Sequence, residues 1–188
     1  MNSSKDLFQH KYEISGESFE LLNACMSEES KSKGELLIKV GEIHNYIYFI
    51  KTGAMRSYFI NKDGKEVTYW FGFEGDIAAS LSNFIKSKPS MENIELLEDS
   101  VILKISRSKL LELYETNLEL ANFGRKIAEK ALLEMEEQIL LTQFTDAKSR
   151  YLKLINRFPE ILQRVKLGHI SSYLGITQVT LSRIRSGK

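Results

Sequence analysis

Apolar positions follow one rhythm in the first half of this chain and another in the second. Between Gly34 and about Ile105 they come in short β-branched and aromatic runs, ELLIK, NYIYFIK, AMRSYFIN, KEVTYWF and SVILKI. Runs of this kind, separated by glycines, predict short strands. Gly41, Gly53, Gly64 and Gly75 fall 12, 11 and 11 residues apart, the spacing of turns in a sandwich or rolled barrel. Asn61-Lys62-Asp63-Gly64 is a hairpin signal. From Glu119 to about Thr142 the period becomes helical, with Leu120, Phe123, Ile127 and Ala131 on a stripe that widens to Leu132, Met135, Ile139 and Leu140. So wide a stripe has two surfaces to meet, its own β-domain and a second copy of itself. Shorter helices are predicted over residues 15–26 (Phe19, Leu22 and Met26 on one face), 81–86, 106–114 and 146–158, the last closed by Pro159. Residues 165–167 read as a short wing strand, and residues 1–13 predict no clear element.

The most specific pattern is the stretch 167–186, LGHISSYLGITQVTLSRIRS. Ile170 and Leu174, four apart, share a helical face. Gly175 can take the left-handed conformation that ends a helix, and Thr177 can cap the next one. Leu181 and Ile184 then point inward, leaving Thr177, Gln178, Val179, Ser182, Arg183 and Ser186 outward. This is the layout of a helix-turn-helix, in which an apolar corner fixes the crossing angle and the second helix offers polar side chains to base edges. An ordinary surface helical hairpin would share the pattern, and charge separates the two. Residues 145–188 hold nine Lys/Arg against Asp146 and Glu160, a net +7 in a chain whose total is +1. A basic module on an acidic body suits a nucleic-acid reader.

Composition removes several alternatives. No apolar run approaches the roughly 20 residues of a membrane span, and the N-terminal residues do not resemble a signal peptide. The single cysteine, Cys25, cannot form an internal disulfide or supply a four-thiolate cluster, and a reduced cytoplasm is the expected compartment. Cys25, His10, His44 and His169 stand on different elements without metal-site or triad spacing, so no enzyme is expected. Tyr58 and Trp70 can line a pocket or fill a core. Phe73-Glu74-Gly75-Asp76-Ile77-Ala78-Ala79-Ser80 reads as a glycine turn running into a helix N-terminus, a place for a polar or anionic ligand, although Glu74 and Asp76 oppose an anion.

With these pieces placed, the chain resembles the Crp/Fnr family of bacterial transcription regulators. The resemblance is carried by Arg150-Tyr151-Leu152, Pro159-Glu160, Ser172-Tyr173-Leu174-Gly175-Ile176-Thr177 and Thr180-Leu181-Ser182-Arg183-Ile184-Arg185. In the β-part it is carried by Gly34-Glu35, Gly41-Glu42, Tyr48-Phe49-Ile50, Gly53, Gly64-Lys65-Glu66 and Glu98-Asp99-Ser100. It implies an α+β fold: a cyclic-nucleotide-binding-like β-roll over residues 1–115, a long dimerisation helix over 116–144 and a winged-helix-like helix-turn-helix domain over 145–188. It further implies a homodimer joined through residues 119–142, a near-palindromic double-stranded DNA site and RNA polymerase as a partner. A β-roll that senses a ligand and acts through a protein partner is the alternative.

The family's base-reading positions correspond to Gln178, Val179 and Arg183, with Thr177, Ser182, Arg185 and His169 as neighbouring DNA contacts. Members that bind the familiar half-site carry an acidic residue where Val179 stands and often an arginine where Gln178 stands, so an altered half-site is expected. The effector pocket would be lined by Tyr58, Trp70, Gly75, Asp76, Ile77, Ala78, Ala79, Ser80 and Ser90 of the roll and by Phe123 and Ile127 of the long helix. Members that bind cyclic AMP hold its phosphate with an arginine. No arginine stands in the corresponding segment here, and Glu92 would face the phosphate. Neither cyclic AMP, haem nor an iron–sulfur cluster is therefore expected, and the effector is unassigned.

Overall fold

The computed structural model describes residues 11–187. Helix α1 (Gly16–Asn23) is capped by Ser15, whose hydroxyl accepts from the Ser18 N–H, and it buries Phe19 and Leu22. Eight antiparallel strands follow: β1 (Ser27–Lys31), β2 (Leu36–Ile38), β3 (Tyr46–Thr52), β4 (Met55–Ile60), β5 (Glu66–Gly72), β6 (Ile77–Ala78), β7 (Asn93–Leu96) and β8 (Ser100–Ser106), with the short helix α2 (Leu81–Lys86) between β6 and β7. They form two four-stranded sheets, ordered β1-β8-β3-β6 and β2-β7-β4-β5. Leu37, Ile38, Ile50, Met55, Ala78, Ile94, Leu96 and Ile102 pack together from strands of both sheets. Strand alternation sends Ile47, Phe49, Leu103 and Ile105 the other way, against α1, α3 (Arg107–Thr116) and α4 (Leu118–Phe144). The predicted hairpin is present: Gly64 takes φ +74 and Asn61 Oδ1 accepts from the Asp63 and Lys65 N–H groups.

Two strands escape the hydrophobic pattern. Strand β1, SEESK, is almost wholly polar, yet it pairs with β8 along its whole length, from Ser27 opposite Lys104 to Lys31 opposite Ser100. It lies at a sheet edge, where charge discourages unwanted pairing. Its Glu28 meets Lys51 at 2.6 Å and its Glu29 pairs with Lys104. Strand β7 is four residues long and buried between β2 and β4.

Helix α4 runs for 27 residues and leads into a C-terminal group of four helices: α5 (Ala147–Arg157), α6 (Ile161–Arg164), α7 (Leu167–Leu174) and α8 (Gln178–Arg185). Tyr151, Leu154, Ile161, Val165, Ile170, Leu174 and Leu181 form their core, which continues into the roll through Ala54, Phe71 and Leu97. The expected wing strand is absent from the described residues. Val165 is a buried helix C-cap whose N–H returns to Ile161, Lys166 is an N-cap, and Leu167 already starts α7. With Val165 held in the core between two helices, no extended partner adjoins it.

Candidate nucleic-acid interface and effector region

Helices α7 and α8 make the corner that the sequence predicts. Gly175 takes φ +66, where a side chain would be strained, and the Ile176 N–H turns back to the Ser171 carbonyl. The Thr177 hydroxyl accepts from the Thr180 N–H and starts α8, while Ile170, Leu174 and Leu181 are buried beneath. Gln178, Val179, Ser182, Arg183 and Arg185 are exposed along α8. The Gln178 amide folds back over α7, so that a Cβ on Gly168 would lie 3.2 Å from its Nε2. Neither Arg183 nor Arg185 makes an ion pair among the described residues, and both guanidinium groups are available to an anion.

His169 departs from this outward set. It is half-buried on α7, and its pKa is lowered by burial and by the field of Arg56. Arg56 is itself a buried cation, held by Glu66 at 2.5 Å and by Glu95 at 2.6 Å and lying over the Tyr58 ring. Half-buried, His169 is less open to DNA than the exposed residues of α8.

The seam between the C-terminal helices and the rest of the chain consumes part of the basic charge. Arg164 donates through Nη1 and Nη2 to Glu74 at 2.9 and 2.7 Å and reaches Glu98 as well. Arg157 pairs with Glu134 of α4 at 2.5 Å, and Arg150 donates to the Leu174 and Thr145 carbonyls. Three of the nine basic residues are thus committed to internal contacts, Arg157 and Arg164 to residues outside the C-terminal helices and Arg150 within them. Edge strand β5 is closed by Ser172, whose hydroxyl accepts from the Thr68 N–H and donates to the Glu66 carbonyl, both at 3.0 Å. Phe71 packs on Tyr173 and Phe73 on Phe158, with ring centroids 5.1 and 4.9 Å apart.

The residues named for an effector pocket lie in several environments. Ile77, Ala79, Phe123 and Ile127 gather in one core with Tyr12, which is outside the predicted set. Ala78 and Trp70 belong to the core inside the roll, and the Trp70 indole N–H donates to Glu134 at 3.2 Å. Tyr58 is buried against Arg56 on β4. Ser90 is buried too, its hydroxyl donating to the Glu92 carbonyl and its backbone bonded to Gly41 and Glu42. The glycine turn does not run into a helix as expected, because β6 intervenes before Ser80 precedes α2. The Gly75 and Asp76 N–H groups are already bonded, to the Ile50 and Phe73 carbonyls. At these two positions an anion would find no unpaired donor.

Glu92 is buried nearby, and desolvation pushes its pKa up to about 7. Among the described residues, no cluster of three or more His, Cys, Asp or Glu is arranged to hold a metal, and no helix is long and apolar enough to cross a membrane.

A family model described as the cyclic nucleotide-binding domain matches residues 28–117. The electron transport regulator A of Shewanella oneidensis is 28% identical over 163 residues, covering 81% of this chain. The chain spans only 64% of that protein's length. Among solved structures, FixK2 from Bradyrhizobium japonicum superposes with a TM-score of 0.76 at 24% identity, over 86% of this chain and 83% of its own. A putative transcriptional regulator of the Crp/Fnr family from Eubacterium rectale gives 0.74 at 15% identity, over 97% and 87%. Residues 28–117 thus form a cyclic nucleotide-binding domain, and with the long helix and helix-turn-helix that follow, the chain has the fold of these Crp/Fnr-type regulator structures.

Proposed function

We propose that the protein is a homodimeric, sequence-specific DNA-binding transcription regulator that acts in the cytoplasm by binding, without catalysis. The observation that carries this reading is α8 itself: a capped helix, fixed on an apolar corner, that exposes Gln178, Val179, Ser182 and Arg183. Gln pairs with adenine and Arg with guanine through two hydrogen bonds each, and Val offers apolar contact to a thymine methyl. The names of the relatives, electron transport regulator and Crp/Fnr regulator, support it.

Dimerisation is supported by the distal half of α4. Leu132, Leu133, Met135, Ile139, Leu140 and Phe144 are exposed there, Leu132 at 68% and Phe144 at 75%. An apolar stripe of this length seeks cover from a second copy. The roll then serves as an effector domain or a dimer support, and RNA polymerase is the expected downstream partner. Cyclic AMP is not the effector in this reading, because the segment from Gly75 to Glu92 contains no arginine and ends on a buried carboxylate.

Duplex binding to defined sites tests the reading. Purified full chain binds one two-fold symmetric sequence far better than scrambled DNA, and binding weakens steeply with salt. Equal, weak binding to every duplex would overturn it.

A further inference from the structure

The four-residue turn from Phe73 to Asp76 is gripped from both ends of the chain. From the N-terminal side, the Tyr12 hydroxyl donates to the Gly75 carbonyl at 2.9 Å, and Lys11 Nζ donates to Asp76 Oδ1 at 2.7 Å and to the Glu74 carbonyl at 3.3 Å. Tyr12 is 5% exposed and meets Phe123 edge-on, with centroids 5.2 Å apart. Glu13 takes φ +53 and pairs with Lys126, laying the segment along α4. From the C-terminal side, Arg164 grips Glu74 with both Nη groups, and the Gly53 N–H holds the same carboxylate at 2.9 Å. The turn is closed on itself, since Asp76 N–H donates to the Phe73 carbonyl and Asp76 Oδ2 accepts from the Phe73 N–H at 3.0 Å.

We propose that this turn is a relay. The seating of Lys11 and Tyr12 sets the orientation of the helix-turn-helix through Glu74 and Arg164. Arg164 is accordingly a positioning residue and not a phosphate contact. The physical basis is a contiguous hydrogen-bonded path that leaves little slack: Asp76 and Glu74 are two residues apart within one closed turn, so displacing one moves the other. Loss of the Lys11 ammonium leaves Asp76 with Lys130, whose Nζ is 3.9 Å away, pulling the turn toward α4 and away from Arg164. The consequence for DNA rests on the regulator reading above, whereas the coupling itself does not.

Amide hydrogen exchange of the full chain tests it without DNA. The Thr68 N–H is covered by Ser172 of α7 and reports whether the C-terminal helices are docked, while the Leu103 N–H in the middle of β8 reports global opening. Lys11→Ala and Tyr12→Phe should each raise Thr68 exchange by about threefold or more relative to Leu103, and Arg164→Ala should do the same. The double variant Lys11→Ala/Arg164→Ala should exchange no faster than Arg164→Ala alone. Thr68 exchange unchanged by the Lys11 and Tyr12 variants, or multiplying in the double variant, would overturn the relay whatever the DNA affinity. Coupled exchange with unaltered duplex affinity would overturn only its consequence for regulation.

Discussion

Arg183 and Glu92 represent two kinds of residue in this fold, one exposed and available to a partner and one withdrawn from solvent. Replacing Arg183 by Ala is expected to cost about 1–3 kcal/mol of binding and to relax preference at one base position. Titration against a panel of singly substituted duplexes checks this, and an equal loss on every duplex would make Arg183 a phosphate contact. Glu92 carries a folded pKa near 7, above its ordinary 4.5, so the folded state favours the protonated acid. Stability from this group is full below about pH 4.5 and is lost as pH rises toward 7. Glu92→Gln should therefore stabilise the protein by about 1–3 kcal/mol at pH 8 and change little at pH 4.5, as read by urea denaturation. The exposed α8 residues were legible in the sequence because helical periodicity alone assigns their side. The half-burial of His169 and the field of Arg56 on it were not, because Arg56 lies more than 100 residues earlier in the chain and local spacing carries no information about such a neighbour.

At the scale of elements, α4 and the α7 seam carry the consequences. Leu132→Asp or Leu140→Asp sets a charge in the exposed apolar stripe of α4 and should shift the protein to a monomer in sedimentation. It should also cut affinity for a symmetric site by more than about tenfold while sparing the fold, since neither side chain is buried in the chain itself. The α7 seam should respond to pH. The His169 pKa is lowered in the folded state, so the neutral ring is favoured there; docking support is complete above the ordinary value of 6.5 and fades as pH falls through the folded value. Thr68 exchange should thus rise, relative to Leu103, on going from pH 7.5 toward 5.5 after correction for intrinsic rates, and His169→Gln should abolish that rise. The long helix, the β4–β5 hairpin and the helix-turn-helix were all visible as periodicity and turn chemistry. Strand β1 was invisible because ion pairs and register with β8, instead of apolar burial, hold it in place. The wing was misread because Val165 serves the helical core, and a three-residue apolar segment looks the same in either role.

For the whole molecule, the charge split of the sequence overstates what DNA can use. Arg150, Arg157 and Arg164 are committed to internal contacts, and Lys148, Lys153, Lys166, Arg183 and Arg185 remain unpaired among the described residues. With Lys188, which lies outside the described residues, six such groups per protomer bound a dimer to about twelve phosphate contacts, so the slope of log affinity against log salt should be no steeper than about −11. The order of roll, long helix and helix-turn-helix was readable in the sequence. The docking of the C-terminal helices on β5, and the turn that ties them to the N-terminal segment, required side-chain contacts between distant parts of the chain. The central claim is that α8 reads DNA as one of a symmetric pair. Selection of bound duplexes from a random pool, by the purified full chain at near-physiological salt without added ligand, tests it most directly. Enrichment of a two-fold symmetric site, with half-sites about one helical turn apart and lost on Arg183→Ala, is the predicted result. A pool that stays random, or an enriched motif without two-fold symmetry, would contradict it.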